Sequence, residues 1–591
     1  MTATGAAASK FDAVVIGSGL GGSTAAAYLA AAGQRVLLLE RYSVLGGSSH
    51  VFRRQGKWEF DCGVHFVGDC GPDGHVPALL RGLGLDDRIT WLPMDADGFD
   101  TIIGPDLELK TPFGWDQYQS NLIDAFPGEA RGLRRYVSVM RKLGESFDRA
   151  VSPSSKTEFA KALARAGTAA PFAMAPYVSL LVACGLDPRT ILALSVQCGA
   201  LTTTPIRIAA IAQAMYLQSY AGRGSYYPKG GGQVLAAGFA EVIRSHGGQI
   251  RTNAGVDKVL VEGGRVTGVR LEDGEQIAAS VVVSGADTIR TFTDLVGLEH
   301  LPLTYRQRVK SWKMARPLIN GYFGVKLDVS ATPNSNYFAI PTWDDATSLL
   351  SLERMARQVV GARGQSDGVS WAREFARRQP MFVQSSTRRD PSNHRSAPAG
   401  HAAIEVQTIT PYNPALWGFE GYDVRTGEYR NNPQYREIKK IVIDGMLQRM
   451  EQAYPGSSSN VRWCELATPA TQERFVGNSG GAPFGLELLP SQVGPLRPGV
   501  RTPIRGLFLA GTNTAYGPGT EGAMISGQVA AGAVVGRDLV AAVRGGAVIA
   551  DPARLAAWAP DFDPLDACRG LTRSGREPAE TDSQAAPIHI S

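Results

Sequence analysis

The chain has 591 residues, 44% hydrophobic and 19% charged, with a net charge of +5. This describes a globular protein of about two to four domains and excludes a disordered chain; so mild a charge calls for no nucleic acid, though it suits an anionic membrane surface. Six cysteines without a C-x-x-C pair and eight histidines without ligand spacing indicate neither disulfide framework nor metal site, and fit a reducing cytosol.

Residues 1–10 are small and polar, lack the apolar stretch of a signal peptide, and are expected to be a flexible N-terminus. Ala13-Val14-Val15-Ile16 is an apolar run suited to a buried parallel strand. Gly17-Ser18-Gly19-Leu20-Gly21-Gly22 follows as G-x-G-x-x-G, and a helical run then ends near Gly33. Residues 36–39 are a second apolar strand, closed by Glu40, 18 residues beyond Gly22, and then Arg41. Gly17 permits the tight turn, Gly19 lets backbone approach a diphosphate, and Gly22 lets helix and strand pack closely. The helix N-terminus offers free N–H groups and a positive dipole end to phosphates, and Glu40 is placed to accept from a ribose. Gly517-Pro518-Gly519-Thr520-Glu521-Gly522 repeats the glycine pattern without a strand directly before it, so no second, nicotinamide-binding unit is expected.

Gly46-Gly47-Ser48-Ser49-His50 gives a second place where backbone can approach a cofactor, with small donors beside it. Residues 58–61 read as a short strand, followed by Cys62-Gly63-Val64-His65-Phe66-Val67-Gly68. The fingerprint, the paired glycines and the run "FDCGVHFVG" together resemble the phytoene desaturase superfamily of flavoproteins. "GVHFVG" and "GGSSH" are most similar to its retinol saturase and carotenoid isomerase branch. Ser48 is a departure, since the carotene desaturases carry an arginine there. The resemblance implies an α/β protein with a discontinuous Rossmann-like FAD-binding domain and an inserted mixed α+β substrate domain. It also implies FAD-dependent saturation, desaturation or isomerisation of carbon–carbon double bonds in a hydrophobic polyene such as a carotenoid or retinoid.

From 79 to 224 the pattern is mainly helical and is expected to belong to the substrate region. Residues 130–147 are amphipathic, with Leu133, Val137, Met140 and Leu143 at helical spacing. Residues 160–166 and 190–218 also read as helices. The nearly uncharged stretch 168–186 is about long enough to span a bilayer, but Pro171, Pro176 and Gly185 interrupt it, so it reads as buried or interfacial helix. Residues 199–220 are apolar on more than one side, which suits a bundle core or the wall of a lipid tunnel.

A helix over 235–245 and strands over 249–252, 256–261, 266–271 and 281–287 form the next block, 225–300. By resemblance it is the second part of the FAD-binding domain, with Val256 beside the adenine. Residues 301–500 are expected as substrate domain, with strands over 321–327 and 402–410, a helix over 435–453, and a surface insertion over 361–378. A strand over 506–509 and a glycine-rich helix within 517–543 make the last FAD-binding part, 501–545. Thr512 and Asn513 stand where many relatives carry an acid for the ribityl chain. Residues 546–591 read as a C-terminal tail, disordered from Thr572.

The resemblance assigns the diphosphate and ribose to Gly17, Ser18, Gly19, Leu20, Gly21, Gly22, Glu40 and Arg41. The rest of FAD falls to Gly47, Ser48, Ser49, Val64, His65, Val256, Gly511, Thr512, Thr520 and Glu521. Candidates for chemistry are Glu521, as acid or base or as a carboxylate held by the helix dipole; His65, as proton shuttle or structural histidine; and Tyr516, as catalyst or pocket wall. Nothing selects His50, His65 or Cys62 for covalent attachment. Expected partners are a hydrophobic small molecule, an unidentified electron donor or acceptor, and a membrane surface met from the cytoplasm. An amine-oxidase-like flavin oxidase and a non-catalytic flavin or lipid binder are the alternative readings.

Overall fold

Ala13–Ile16 becomes the middle of a five-stranded parallel sheet, ordered Gln249–Arg251, Val36–Leu39, Ala13–Ile16, Val281–Ser284, Leu507–Leu509. One sheet is thus assembled from all three segments expected to bind FAD, and the domain it forms is discontinuous. The computed structural model describes residues 11–148, 155–343, 367–572 and 575–576; the expectations for 1–10, for 361–366 and for the chain end beyond 576 lie outside the described residues. Ala13–Ile16, Val36–Leu39 and Leu507–Leu509 are apolar throughout, and Val281–Ser284 is so but for its last residue, because both faces are covered; the edge strand Gln249–Arg251 is polar at both ends. Ala13 and Val15 pack with the helices on one side, Val14 and Ile16 with the antiparallel meander Val256–Glu262, Arg265–Leu271 and Gln276–Ala278 on the other.

The helix Leu20–Ala31 is buried nearly all round and packs along Gly519–Val535. That contact needs glycine: a Cβ on Gly527 would lie 2.2 Å from the Gly21 carbonyl oxygen. Alanine and glycine therefore bring the two backbones together, and Gln528 pins them by donating to the Tyr28 hydroxyl at 3.0 Å. Residues 546–572, expected as part of a tail, pack on this body instead. Leu555, Cys568 and Leu571 are buried in its core, and Thr252 donates its N–H to the Leu571 carbonyl at 2.7 Å.

A second, seven-stranded mixed sheet is ordered Val461–Ala467, Leu318–Val325, Ala402–Ile409, Met381–Ser385, Asn336–Ala339, Asp100–Gly104, Leu107–Thr111. Its last two strands come from the region read as mainly helical; they are a short hairpin whose alternation spans too few residues to stand out. The helices around Ala130–Asp148 close the far side, with Leu133, Val137, Met140 and Leu143 buried as their spacing requires. The helix expected over 190–218 is broken into Pro188–Ser195, a tight turn over Val196–Leu201, and Ala210–Leu217. Thr202 takes a left-handed conformation there and Pro205 cannot continue a helix. Within 168–186 the helices are short, Ala170–Ala173 and Tyr177–Ala183, and no described helix is long and apolar enough to cross a membrane. Gly368–Arg378 is a helix with Ala372 and Phe375 buried against Pro433–Ala453, so only its charged face matches a surface insertion.

Candidate active site

A single cavity of about 810 Å³ runs from the first glycine turn into the space between the two sheets. At the turn, Gly17 has a φ of +87°. A Cβ added to Gly19 would meet nothing within 4 Å, so its backbone fronts the cavity. Leu20 and Gly21 line it at the start of a helix whose first N–H groups have no intrahelical acceptor. Glu40 closes this end: Oε2 accepts from the Ser18 N–H at 2.8 Å and the Ser18 hydroxyl at 2.6 Å, and Oε1 accepts from the Tyr42 N–H at 2.8 Å. Each oxygen has two acceptor sites, so Oε1 keeps one for a ribose hydroxyl. An open glycine turn, a helix N-terminus and an acceptor-only carboxylate fit the adenosine diphosphate part of FAD.

Most residues assigned to the cofactor reach the cavity wall: Gly17, Gly19, Leu20, Gly21, Glu40, Arg41, Gly47, Ser48, Ser49, Val64, His65, Val256, Gly511, Thr512, Thr520 and Glu521. Ser18 and Gly22 stand behind it. The Ser18 hydroxyl is buried between Glu40 and the Gly46 N–H. A Cβ on Gly22 would lie 2.1 Å from the Gly17 carbonyl oxygen, so Gly22 serves packing. The two residues replacing the family's acid part ways. Thr512 faces the cavity, whereas Asn513 is buried with Oδ1 accepting the Leu486 N–H at 2.9 Å. Their loop is clamped by Arg497, fully buried, whose guanidinium donates to the carbonyls of Thr512 at 2.7 Å, Thr514 at 2.8 Å and Leu486 at 2.9 Å.

Glu521 enters in the first turn of Gly519–Val535. Its Oε1 accepts the Gly68 N–H at 2.7 Å and lies 3.5 Å from the Ser219 hydroxyl. Burial pushes its carboxyl up to about 7, against the pull of the backbone N–H bonds, and the nearby Asp69 adds to the rise. A carboxyl poised there can give or take a proton at neutral pH. Burial also drives the neighbouring Tyr220 phenol up, so it stays neutral. Tyr516 lies on the wall beside the glycines that precede the helix.

His65 is held on both sides of its ring. Nδ1 lies 2.9 Å from Oε2 of the buried Glu405 and 3.0 Å from Nε2 of Gln384, and Nε2 meets the amide of Gln407. His50 is likewise occupied: Nδ1 donates to the Gly47 carbonyl at 2.6 Å and Nε2 faces Sγ of Cys62 at 3.3 Å. Burial lowers the imidazole and raises the thiol, which leaves that pair neutral.

Beyond these groups the cavity turns apolar, walled by Ile211, Met215, Phe338, Met381, Phe382 and Leu488. The stretch 199–220 supplies one side of it and part of the helical core as well. Sequence reasoning did not find Gly68, Ser219, Tyr220, Glu405 or Gln407. The alternation in Ala402–Ile409 signals that Glu405 and Gln407 share a face, but not that the face is buried. Among the described residues no group of acidic, histidine and cysteine side chains could hold a metal ion.

A family model described as flavin containing amine oxidoreductase matches residues 20–288. The chain is 26% identical over 541 residues to prolycopene isomerase 1, chloroplastic, of an Oncidium hybrid cultivar, covering 89% of this chain and 84% of that one. It is 24% identical over 546 residues to the all-trans-retinol 13,14-reductase of Danio rerio, covering 88% and 85%. Among solved structures, cyclohexylamine oxidase from Brevibacterium oxydans shares the fold with a TM-score of 0.56 at 18% identity, covering 89% of this chain and 99% of that one. Putrescine oxidase does so with a TM-score of 0.58 at 14% identity, covering 89% and 99%.

Proposed function

We propose, for a chain that is an FAD-dependent oxidoreductase of the phytoene desaturase superfamily, in its retinol saturase and carotenoid isomerase branch, that it acts on carbon–carbon double bonds of a long apolar polyene. The observation that carries this reading is the continuity of the cavity. One space joins the glycine turn and Glu40 to a wall of Ile211, Met215, Phe338 and Phe382, so an apolar chain can lie end-on to the cofactor's reactive part. When bound, FAD supplies the electron-pair chemistry.

The protein's own residues do the rest. The turn at Gly17–Gly19 and the helix start at Leu20 and Gly21 would hold the diphosphate, and Glu40 would accept from the ribose. Glu521 holds or gives a proton at its carboxyl oxygen, positioned by the Gly68 N–H. Phe66, Phe338 and Phe382 exclude water by closing on one another, with ring centroids 5.9 Å apart for Phe66 and Phe382 and 5.2 Å for Phe338 and Phe382. Such a substrate is insoluble, so delivery from a membrane surface met from the cytoplasm suits it, as does the net charge of +5. With no second nucleotide-binding unit expected, the electron donor or acceptor is a separate molecule.

The test is anaerobic. Purified flavoprotein is mixed with carotenoid and retinoid panels while flavin absorbance and product mass are followed. A change in either with a polyene supports the reading. Flavin that stays bound while no polyene alters spectrum or mass overturns it.

A further inference from the structure

The seven-stranded sheet carries a polar row that the chemistry above does not use. In Ala402–Ile409, Ile404 and Val406 pack into the core under Pro433–Ala453, while Glu405 and Gln407 take the opposite face, toward His65. Tyr322 and Gln384 stand directly across from Glu405 on its two neighbouring strands, and further along Asn336 stands across from Asp100. Such partners share one face. Glu405, Gln384, Asn336 and Asp100 all have 0% exposure. Arg389, 3% exposed, ties the row together by donating to Oε1 of Gln384 and Oδ1 of Asn336. Asp100 accepts from Asn336 at 2.7 Å and Gln197 at 2.8 Å.

The charges here do not balance if every acid is ionised. Asp61 sits beside Glu405, its Oδ1 accepting the Gly232 N–H at 2.8 Å and its Oδ2 taking the Tyr227 hydroxyl. Among the described residues, Arg389 is the permanent cation that Asp61, Glu405 and Asp100 share, while Glu59, itself paired with Arg53, adds a further negative charge beside Asp61. Buried charge without a partner is expensive, so protons must make up the difference. Burial pushes Asp61 up to about 7, with Glu405 adding to the rise, and pushes Asp100 up to about 6. The remaining groups facing Glu405 and His65 are Tyr227, Tyr322 and Cys62, and burial drives each of them up and keeps it neutral. Asp61, Glu405 and His65 thus form one buried group of neighbours, and His65 is its member on the cavity wall.

We propose that Glu405 is a positioning residue that makes His65, with Asp61 and Arg389 behind it, a one-proton store for the flavin cavity. When an electron pair enters the cavity as negative charge, this cluster binds one proton from water, between His65 and Glu405, and releases it on reoxidation. The proposal rests on FAD occupying the cavity.

It is tested by redox potentiometry of the FAD-loaded protein across the neutral pH range, with dithionite as reductant, and by ¹⁵N-histidine NMR with His65→Asn to assign the His65 signal. One extra proton per electron pair makes the midpoint potential of the natural protein steeper by about 30 mV per pH unit than that of Glu405→Gln. His65→Asn flattens it equally, so the test survives if one variant does not fold, and Glu465→Gln on the outer strand leaves it unchanged. In NMR, reduction moves the His65 nitrogens in the natural protein and not in Glu405→Gln. Equal slopes with flavin bound overturn the proposal alone. A natural protein that takes up no FAD overturns the cofactor reading, and the proposal falls with it.

Discussion

Glu521 Oε1 accepts the backbone N–H of Gly68 at 2.7 Å across 453 residues of chain, joining the first and last FAD-binding segments at the cavity wall. The same bond aims a carboxyl held up at about 7 by burial. Glu521→Gln keeps the shape and removes the titration. Turnover is expected to fall by about 10²–10⁴-fold, with flavin content unchanged, and the pH–rate profile to lose its limb near neutrality.

The same residue makes a stability prediction with a definite sign. Its ordinary value of 4.5 is raised to about 7 on folding, so the folded chain keeps a proton that the unfolded chain has released. Stability from this group is complete below the unfolded value and is lost as pH rises through the folded one, by up to about 3 kcal/mol. Urea unfolding should show the natural apoprotein weakening relative to Glu521→Gln between pH 4.5 and 7. Parallel stability curves would refute the assignment.

Glu40 holds three donors, the Ser18 N–H, the Ser18 hydroxyl and the Tyr42 N–H. Glu40→Ala leaves them without an acceptor beside the ribose position. The one hydrogen bond to the ribose that is lost with it, about 1–3 kcal/mol, predicts an FAD dissociation constant raised roughly 5- to 150-fold. Fluorescence titration of apoprotein with FAD measures it; an unchanged constant would mean that Glu40 only shapes the turn.

What the sequence made legible was local and repetitive. Ala13–Ile16, the glycines after it and Glu40 lie within one strand–turn–helix–strand unit, where spacing alone fixes geometry. Glu521 could be named because it follows a glycine cluster at a helix start. Its neighbours Gly68 and Ser219, and the pairing of His65 with Glu405, could not. Those contacts join segments hundreds of residues apart, and no periodicity encodes which strand lies beside which. The chain after Gly545 gave no packing signal for a related reason. Few of its residues are large and apolar, yet Leu555 and Leu571 suffice to seat it on the body of the five-stranded sheet.

Arg497 is buried with only carbonyl partners among the described residues, and burial brings its guanidinium down to about 9. Arg497→Met removes the charge but strands the carbonyls of Thr512, Thr514 and Leu486. The expected cost is about 3–5 kcal/mol, with weaker flavin retention because Thr512 sits on the cavity wall. Chemical denaturation together with the flavin-to-protein absorbance ratio checks both. A stable variant that keeps its flavin would show the clamp to be dispensable.

Met215 projects from Ala210–Leu217 into the apolar arm and is still partly accessible to it, unlike the buried Ile211 one turn earlier. Met215→Trp adds volume where a long chain must pass and touches none of the cofactor residues. Overpacking a wall that borders open space costs less than filling a packed core, so stability is expected to drop by no more than about 1–2 kcal/mol. Flavin content should stay the same. The effect should depend on substrate length: kcat/KM for a carotenoid falls at least about tenfold, equivalent to about 1.4 kcal/mol of lost transition-state binding, while a shorter retinoid is spared. Equal losses for both lengths would place the substrate elsewhere in the cavity; no loss for either would remove this arm from the substrate path.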